Sequence, residues 1–363
     1  MEMHEIRPEI SQALLTNPGI GFIAAPELMD AEPNALRDSR GQIVAPYKFT
    51  PDSRTWNHPD SGVLFCSCRW KDIEPLQGTY DWRCLEEKLD AAAALGCTCI
   101  VRISPYALSA QEDIPAWLRM RYPEEPEFPF WRIDPNTTEY PRLWAALIRN
   151  FAARYDGDPR ITSVDMAIVG AWGEGGGTEN MEENAMKTVI AAYMEGFPHT
   201  PLTALLHDPK SLACIRAFPK QVGFRVDCLG DMGGFHGDRW SHMLDFYPEN
   251  IQNFQMGDAW QEAPVVFEAC WHMNDWYLQG WDIDYIIDES LKWHISSYNS
   301  KGTTVPEAWK DSVTRWVRRM GYRFELHLAR WQARGTAGKP WRWEMLVLNT
   351  GVAPCYHNYA PVV

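Results

Sequence analysis

Eight short apolar runs, separated by stretches with helical spacing, set the strongest constraint on this chain. They lie at residues 19–24, 63–69, 98–103, 162–169, 202–207, 223–228, 265–269 and 294–298. Most are apolar on both faces, which suits strands held between an interior and an outer shell. Between them, apolar residues recur about once per helical turn. Trp82, Leu85, Leu89 and Ala93 form one stripe, with Gly96 at a C-terminal stop. Leu143, Trp144, Leu147, Ile148 and Phe151 form a second, and Trp309, Val313, Trp316, Val317 and Met320 a third. Strand and helix in alternation predict a parallel sheet with helical crossovers. Eight such units predict an α/β fold, a (β/α)8 TIM barrel over residues 1–320.

After residue 320 the period changes. Tyr322, Phe324, Leu326 and Leu328 alternate, a loop with Gly335 and Gly338 follows, and Trp341, Trp343, Met345 and Val347 alternate again. This predicts a small C-terminal antiparallel β extension over 321–363. Two or three strands alone are marginal, so the extension must lean on the barrel or on another subunit. A homo-oligomer through these strands is therefore an expectation. At 363 residues and 45% hydrophobic content, one large domain with a small appendage fits the chain. Two stretches, 25–61 and 105–139, are too long and too rich in proline to be simple connections. Loops of that length serve as functional walls or lids.

The formal net charge of −14 disfavours nucleic acid, anionic membranes and strongly anionic polymers as partners. The 18 tryptophans supply flat surfaces suited to the C–H faces of sugars, although most of them must fill the core. Nine cysteines without CxxC spacing read as free thiols, which predicts a reducing, cytoplasmic setting. No signal peptide is legible at the start, and no apolar run reaches the length of a membrane span.

Two runs end in a glutamate beside tryptophan: VGAWGEGGG (169–177), containing Trp172 and Glu174, and VVFEACW (265–271), containing Glu268 and Trp271. These are the fourth and seventh strand candidates. Barrel chemistry sits at the C-terminal ends of strands and in the loops after them. Paired carboxyls about 5–5.5 Å apart are what glycosidic cleavage with retention needs. Glu174, on an open glycine loop with access to water, is expected to be the general acid/base. Glu268, on a rigid strand, is expected to be the nucleophile. Arg69 and Arg102 close strands two and three, where either is placed to hold Glu268 ionised. His207, Asp208, Asp231, His272, Asp275, Tyr298 and Asn299 fall at later strand ends and are expected to bind sugar hydroxyls. Trp172, Trp271 and Trp276 are expected to stack on a sugar ring, the last more weakly.

The segment RWKDIEPLQGTYDW (69–82) resembles the second-strand region of clan A glycoside hydrolases, notably the family 42 β-galactosidases. NPGIGF (17–22), GAWGE (170–174) and NTGVAPCY (349–356) resemble the DUF4832-type family, which pairs a related barrel with a C-terminal β-sandwich. The resemblance implies glutamates as acid/base and nucleophile, at Glu174 and Glu268. It also marks two departures. Gly173 stands where clan A enzymes carry an asparagine that contacts the sugar 2-hydroxyl, so that Asn299 or His207 would replace it. Against that family's pattern the sandwich is also expected to be cut short.

The leading expectation is a retaining glycoside hydrolase acting on a neutral carbohydrate, with a β-galactoside as first guess and no cofactor. A non-catalytic carbohydrate-binding barrel is the alternative that the two departures favour. A metal-dependent hydrolase would draw on His207, Asp208, His236, His272 and Asp275, but no HxH or HExxH spacing occurs.

Overall fold

The computed structural model describes residues 2–23, 35–37, 43–46, 55–57, 61–105, 114–122, 134–170, 175–233, 240–302 and 304–359. Eight strands form one sheet: β1 (Gly21–Phe22), β2 (Val63–Arg69), β3 (Thr98–Ser104), β4 (Ile161–Asp165), β5 (Leu202–Leu205), β6 (Gly223–Leu229), β7 (Val265–Ala269) and β8 (Ile295–Asn299). Each pairs in parallel with its neighbour from β2 to β8, and β8 pairs with β1. The cylinder closes at its base, where Gly19 N donates to Gly62 O at 3.1 Å and Gly62 N to Ile20 O at 3.3 Å. The result is a TIM barrel with the strand order expected from the sequence.

The shell comprises α1 (Arg83–Ala94), α2 (Glu139–Tyr155), α3 (Glu183–Gly196), α4 (Pro209–Ile215), α5 (Tyr247–Asn253), α6 (Met273–Leu278), α7 (Ile283–Lys292) and α8 (Lys310–Arg319). α1 stops where Gly96 takes φ +72°, a left-handed conformation that glycine adopts without a Cβ clash. The three helical stripes face the sheet and are buried in the main core, except that Ala92 and not Ala93 continues the first, Ala93 being exposed.

Alternation along the strands divides the side chains. Ile23, Val63, Ile100 and Val266, with Phe65 against them, form a small apolar plug inside the barrel. Phe22, Phe267 and Tyr298 point outward and pack in the shell core. A polar layer sits on the plug: Arg102, Asp165, Thr203, Arg225, Glu268 and Asn299.

The extension consists of β9 (Phe324–Gln332) and β10 (Trp343–Asn349), antiparallel as expected. It takes in a strand from the far end of the chain, Met3–Ile6, which pairs antiparallel with β9. β10 is an edge strand and leaves Met345, Leu346, Val347 and Leu348 exposed.

One expectation from composition fails. Cys66–Cys99 and Cys228–Cys270 are disulfides, so four of the nine cysteines are not thiols. In each case adjacent parallel strands bring the two Cα atoms within bonding range, at 5.9 and 4.4 Å. The cysteines therefore no longer argue for a reducing compartment. No helix among the described residues is long and apolar enough to cross a membrane.

Candidate active site

Glu268 is the fourth residue of β7 and lies on the inward face. Its neighbour in register on β8 is Asn299, which shares that face. Both line a small recess with Asp165, Thr203 and Arg225 above the apolar plug. Lys301, two residues beyond β8, reaches back so that its Nζ is 2.8 Å from Glu268 Oε1. Burial pushes the Glu268 carboxyl up. The charges of Lys301, Arg225 and Arg102 outweigh this and hold it down at about 2. Glu268 is thus a half-buried, ionised carboxylate at neutral pH.

Below it runs a chain of buried charges. Asp165, at the end of β4, accepts from Arg102 Nε at 2.9 Å and Nη2 at 2.5 Å. Arg225 Nε lies 3.1 Å from the same Asp165 oxygen, and Arg225 Nη1 donates to Asp227 at 2.8 Å. The Arg102 guanidinium also covers the Phe65 ring, 4.8 Å from its centroid. Asp165 Oδ1, Thr203 Oγ1 and Ser297 Oγ are buried without a hydrogen-bond partner. Buried polar groups rarely stay unpaired, and a ligand or water in the recess would satisfy those that face it.

The approach to Glu174 is built differently. β4 ends at Asp165 rather than at 169, because the next carbonyls bond to shell side chains instead of a ladder. Trp144 Nε1 donates to Ala167 O at 2.9 Å, Tyr193 OH to the same oxygen at 3.1 Å, and Tyr140 OH to Ile168 O at 2.6 Å. Trp172, Gly173 and Glu174 lie outside the described residues. Their flanks are in contact: a Cβ on Gly170 would come within 2.6 Å of Gly176 N. Gly175 rests near Leu205 and Asp208, just beyond β5.

The other expected site residues divide. Asn299 joins Glu268. Arg102 acts on Glu268 by its charge but hydrogen-bonds Asp165. Arg69 is exposed and pairs with Asp72 at 3.1 Å, so the direct ion pair expected of an arginine belongs to Lys301. Trp271 is half-buried just after β7. His207 follows β5, stacks on Phe246 at 4.3 Å, and is kept neutral by burial, with its pKa lowered to about 4.

Two expectations, for Tyr298 and Trp276, need correction, while three aspartates are found in local hydrogen bonds. Tyr298 points outward, packed among Phe22, Trp276 and Trp316, because its parity on β8 is that of Phe267 and not of Glu268. Trp276 is fully buried beneath Gly230 and has no ring face free for a sugar. Asp208 caps α4 by accepting from Ser211 N at 3.1 Å. Asp275 accepts from His272 N at 3.0 Å at the start of α6. Asp231 accepts from His242 Nδ1 at 2.6 Å and from the Gly233 and His242 backbone, which braces its own loop. These aspartates hold backbone turns. Among the described residues no three His, Cys, Asp or Glu side chains are placed to hold a metal ion, and His236 lies outside them.

Sequence reasoning missed Lys301, Asp165 and Arg225. For two of them a signal was present, since Asp165 and Arg225 are charges inside otherwise apolar strand runs.

Comparison with known proteins fits this geometry. Residues 61–166 match the glycoside hydrolase family 42 model, described as beta-galactosidase. That span runs from the base of β2 through the end of β4. The catalytic domain of the beta-amylase of Paenibacillus polymyxa superposes with a TM-score of 0.50 at 10% identity, covering 70% of this chain and 90% of that one. Endo-glycoceramidase II from Rhodococcus sp. gives 0.42 at 12% identity, over 79% and 74% of the two chains. Xylanase 10B from Thermotoga petrophila RKU-1 gives 0.43 at 11%, over 71% and 86%. No curated protein matches the chain. The superposition bears out the barrel fold, and the family likeness is confined to residues 61–166.

Proposed function

We propose that this barrel is a retaining glycosidase that cleaves a β-glycosidic bond in a neutral carbohydrate, with Glu268 as nucleophile and Glu174 as general acid/base. The observation that carries this reading is Glu268 itself: an inward, ionised carboxylate near the C-terminal end of β7, beside a small recess that it shares with Asp165, Arg225 and Asn299. A nucleophile must be charged and fixed, and the rigid strand with its cationic surroundings supplies both. An acid/base must exchange protons with water in the hydrolytic step, and a short glycine-flanked excursion suits that duty.

In this mechanism a Glu268 oxygen attacks the anomeric carbon as the leaving oxygen takes a proton from Glu174. Water then attacks the same carbon, gives its proton to Glu174, and the Glu268 carboxylate departs. Asn299, next to Glu268, is positioned to contact the 2-hydroxyl in place of the asparagine replaced by Gly173. A β-galactoside is the first substrate to test, given the family 42 match. A panel of chromogenic aryl α- and β-glycosides with Glu174→Gln and Glu268→Gln tests the reading. Hydrolysis of a β-glycoside lost in both variants supports it. Wild-type turnover in either variant, or sugar binding without turnover in the native protein, contradicts it.

A further inference from the structure

Lys301 stands in a loop that holds it in place from several sides. Its own backbone takes φ +54°, the left-handed region that a residue with a Cβ adopts only when its surroundings impose it. Asn299 Oδ1 accepts from Lys301 N at 3.1 Å, and Ser300 Oγ donates to Gly302 O. Gly302 lies flat against His272, where an added Cβ would come 2.6 Å from the imidazole Nδ1. The next strand segment, Thr304–Pro306, pairs antiparallel with residues 55–57 of the long loop after β1. All of this aims one ammonium at one carboxylate oxygen, Nζ to Glu268 Oε1 at 2.8 Å.

We propose that Lys301 is a positioning residue for Glu268: it holds one carboxylate oxygen, leaves the other for the sugar, and favours the free carboxylate over the glycosyl ester. This rests on Glu268 being the nucleophile. Glu268 carries a negative charge before the first step and after the second, and none in the ester between them. A cation at 2.8 Å stabilises the charged states and not the ester. It therefore slows formation of the ester and speeds its hydrolysis, in which the C–O electron pair returns to the carboxylate. The other charges facing Glu268 are already engaged. From β3 comes Arg102, hydrogen-bonded to Asp165 of β4, and from β6 Arg225, ion-paired with the same carboxylate and hydrogen-bonded to Asp227 of β6. His207, after β5, is neutral. Tyr298 of β8 is buried on the outward face and stays protonated.

The test follows the Glu268 carboxyl itself, by 13C NMR with labelled glutamate. The wild type, Lys301→Met and Lys301→Arg are titrated, and Glu268→Gln assigns the resonance. Lys301→Met should raise the Glu268 titration by about one pH unit or more, and Lys301→Arg should keep it low. With an aryl β-glycoside that the wild type turns over, Lys301→Met should lower kcat and KM together as the ester accumulates, with a pre-steady-state burst. The acid limb of kcat/KM should move up with the titration. An unchanged Glu268 titration in a folded Lys301→Met protein overturns the proposal, whatever its activity. If Lys301→Met does not fold, Lys301→Arg decides: its bulkier, planar head must still hold Glu268 low, and a titration in the ordinary carboxylate range overturns the proposal. Hydrolysis that survives Glu268→Gln overturns the assignment of the nucleophile instead, and leaves the titration result as it stands.

Discussion

The two sides of the barrel mouth are built by opposite means. On the β7–β8 side, Glu268 belongs to a strand, pairs in register with Asn299, and is met by Lys301. The Cys228–Cys270 disulfide ties the ends of β6 and β7 two residues beyond it. On the β4 side the strand stops at Asp165, and the chain reaches the Glu174 loop along a segment held by hydrogen bonds from Tyr140, Trp144 and Tyr193. One side fixes a charge by ladder and ion pair. The other fixes a path and leaves its end on glycines. The proposed assignment puts this contrast to use: in retention one carboxyl must stay in place and ionised while the other must gain and lose a proton.

Breaking the β7 side should do the most damage. Glu268→Gln is expected to lower kcat by about 10⁴-fold or more, with the far-UV and near-UV spectra of the native protein. Glu174→Gln should cost less, on the order of 10²–10⁴-fold, the range of general acid–base catalysis, and least with the best leaving groups. Comparable losses on every leaving group would erase the distinction between the two sides.

The buried charge chain beneath both sides comes next. Asp165→Asn leaves Arg102 and Arg225 without their shared carboxylate, and should destabilise the fold by about 3–5 kcal/mol in denaturant melts. A neutral result would mean that the arginines find other partners. On the β4 side, Tyr140→Phe removes one buried hydrogen bond to Ile168 O and should cost about 1 kcal/mol. Its effect on kcat should exceed that of a shell substitution far from the segment, such as Trp82→Phe.

The pH dependence sharpens the contrast further. Glu268 is held below its ordinary range, so its charge favours folding above the unfolded carboxylate pKa and is lost only as pH falls through about 2. On the proposed assignment, Glu268 therefore sets no acid limb near neutrality. His207 is also lowered, to about 4. Between the unfolded histidine value of about 6.5 and that point, the unfolded chain binds the proton more readily, so stability falls as pH falls. His207→Phe should remove up to about 2–3 kcal/mol of this slope between pH 6.5 and 4, as read from melts at a series of pH values. An unchanged slope would show that His207 is not desolvated.

Much of this architecture was legible before any coordinates. Strand number and order follow from the apolar runs, and Glu268 and Asn299 from their positions at the ends of the seventh and eighth. Parity was not legible, because a strand apolar on both faces does not reveal which face is inward. That is why Tyr298 reads as a site residue and proves to be core. Trp276 misleads for a related reason, since large aromatics near a mouth serve shell packing as readily as stacking. Lys301 escaped notice because its role depends on a left-handed turn that no local spacing signals. The pairing of Met3–Ile6 with β9 joins opposite ends of the chain and leaves no local trace. The disulfides depend on strand register in the same way.

The most direct test of the account is to trap the covalent intermediate. The protein is incubated with a 2-deoxy-2-fluoro β-glycoside bearing a good leaving group, matched to whichever aryl glycoside it hydrolyses, and digested for peptide mass mapping. The account predicts one added glycosyl mass, carried on Glu268 and absent from Glu268→Gln. A label on another residue, or hydrolysis that proceeds with inversion and without any label, would contradict it.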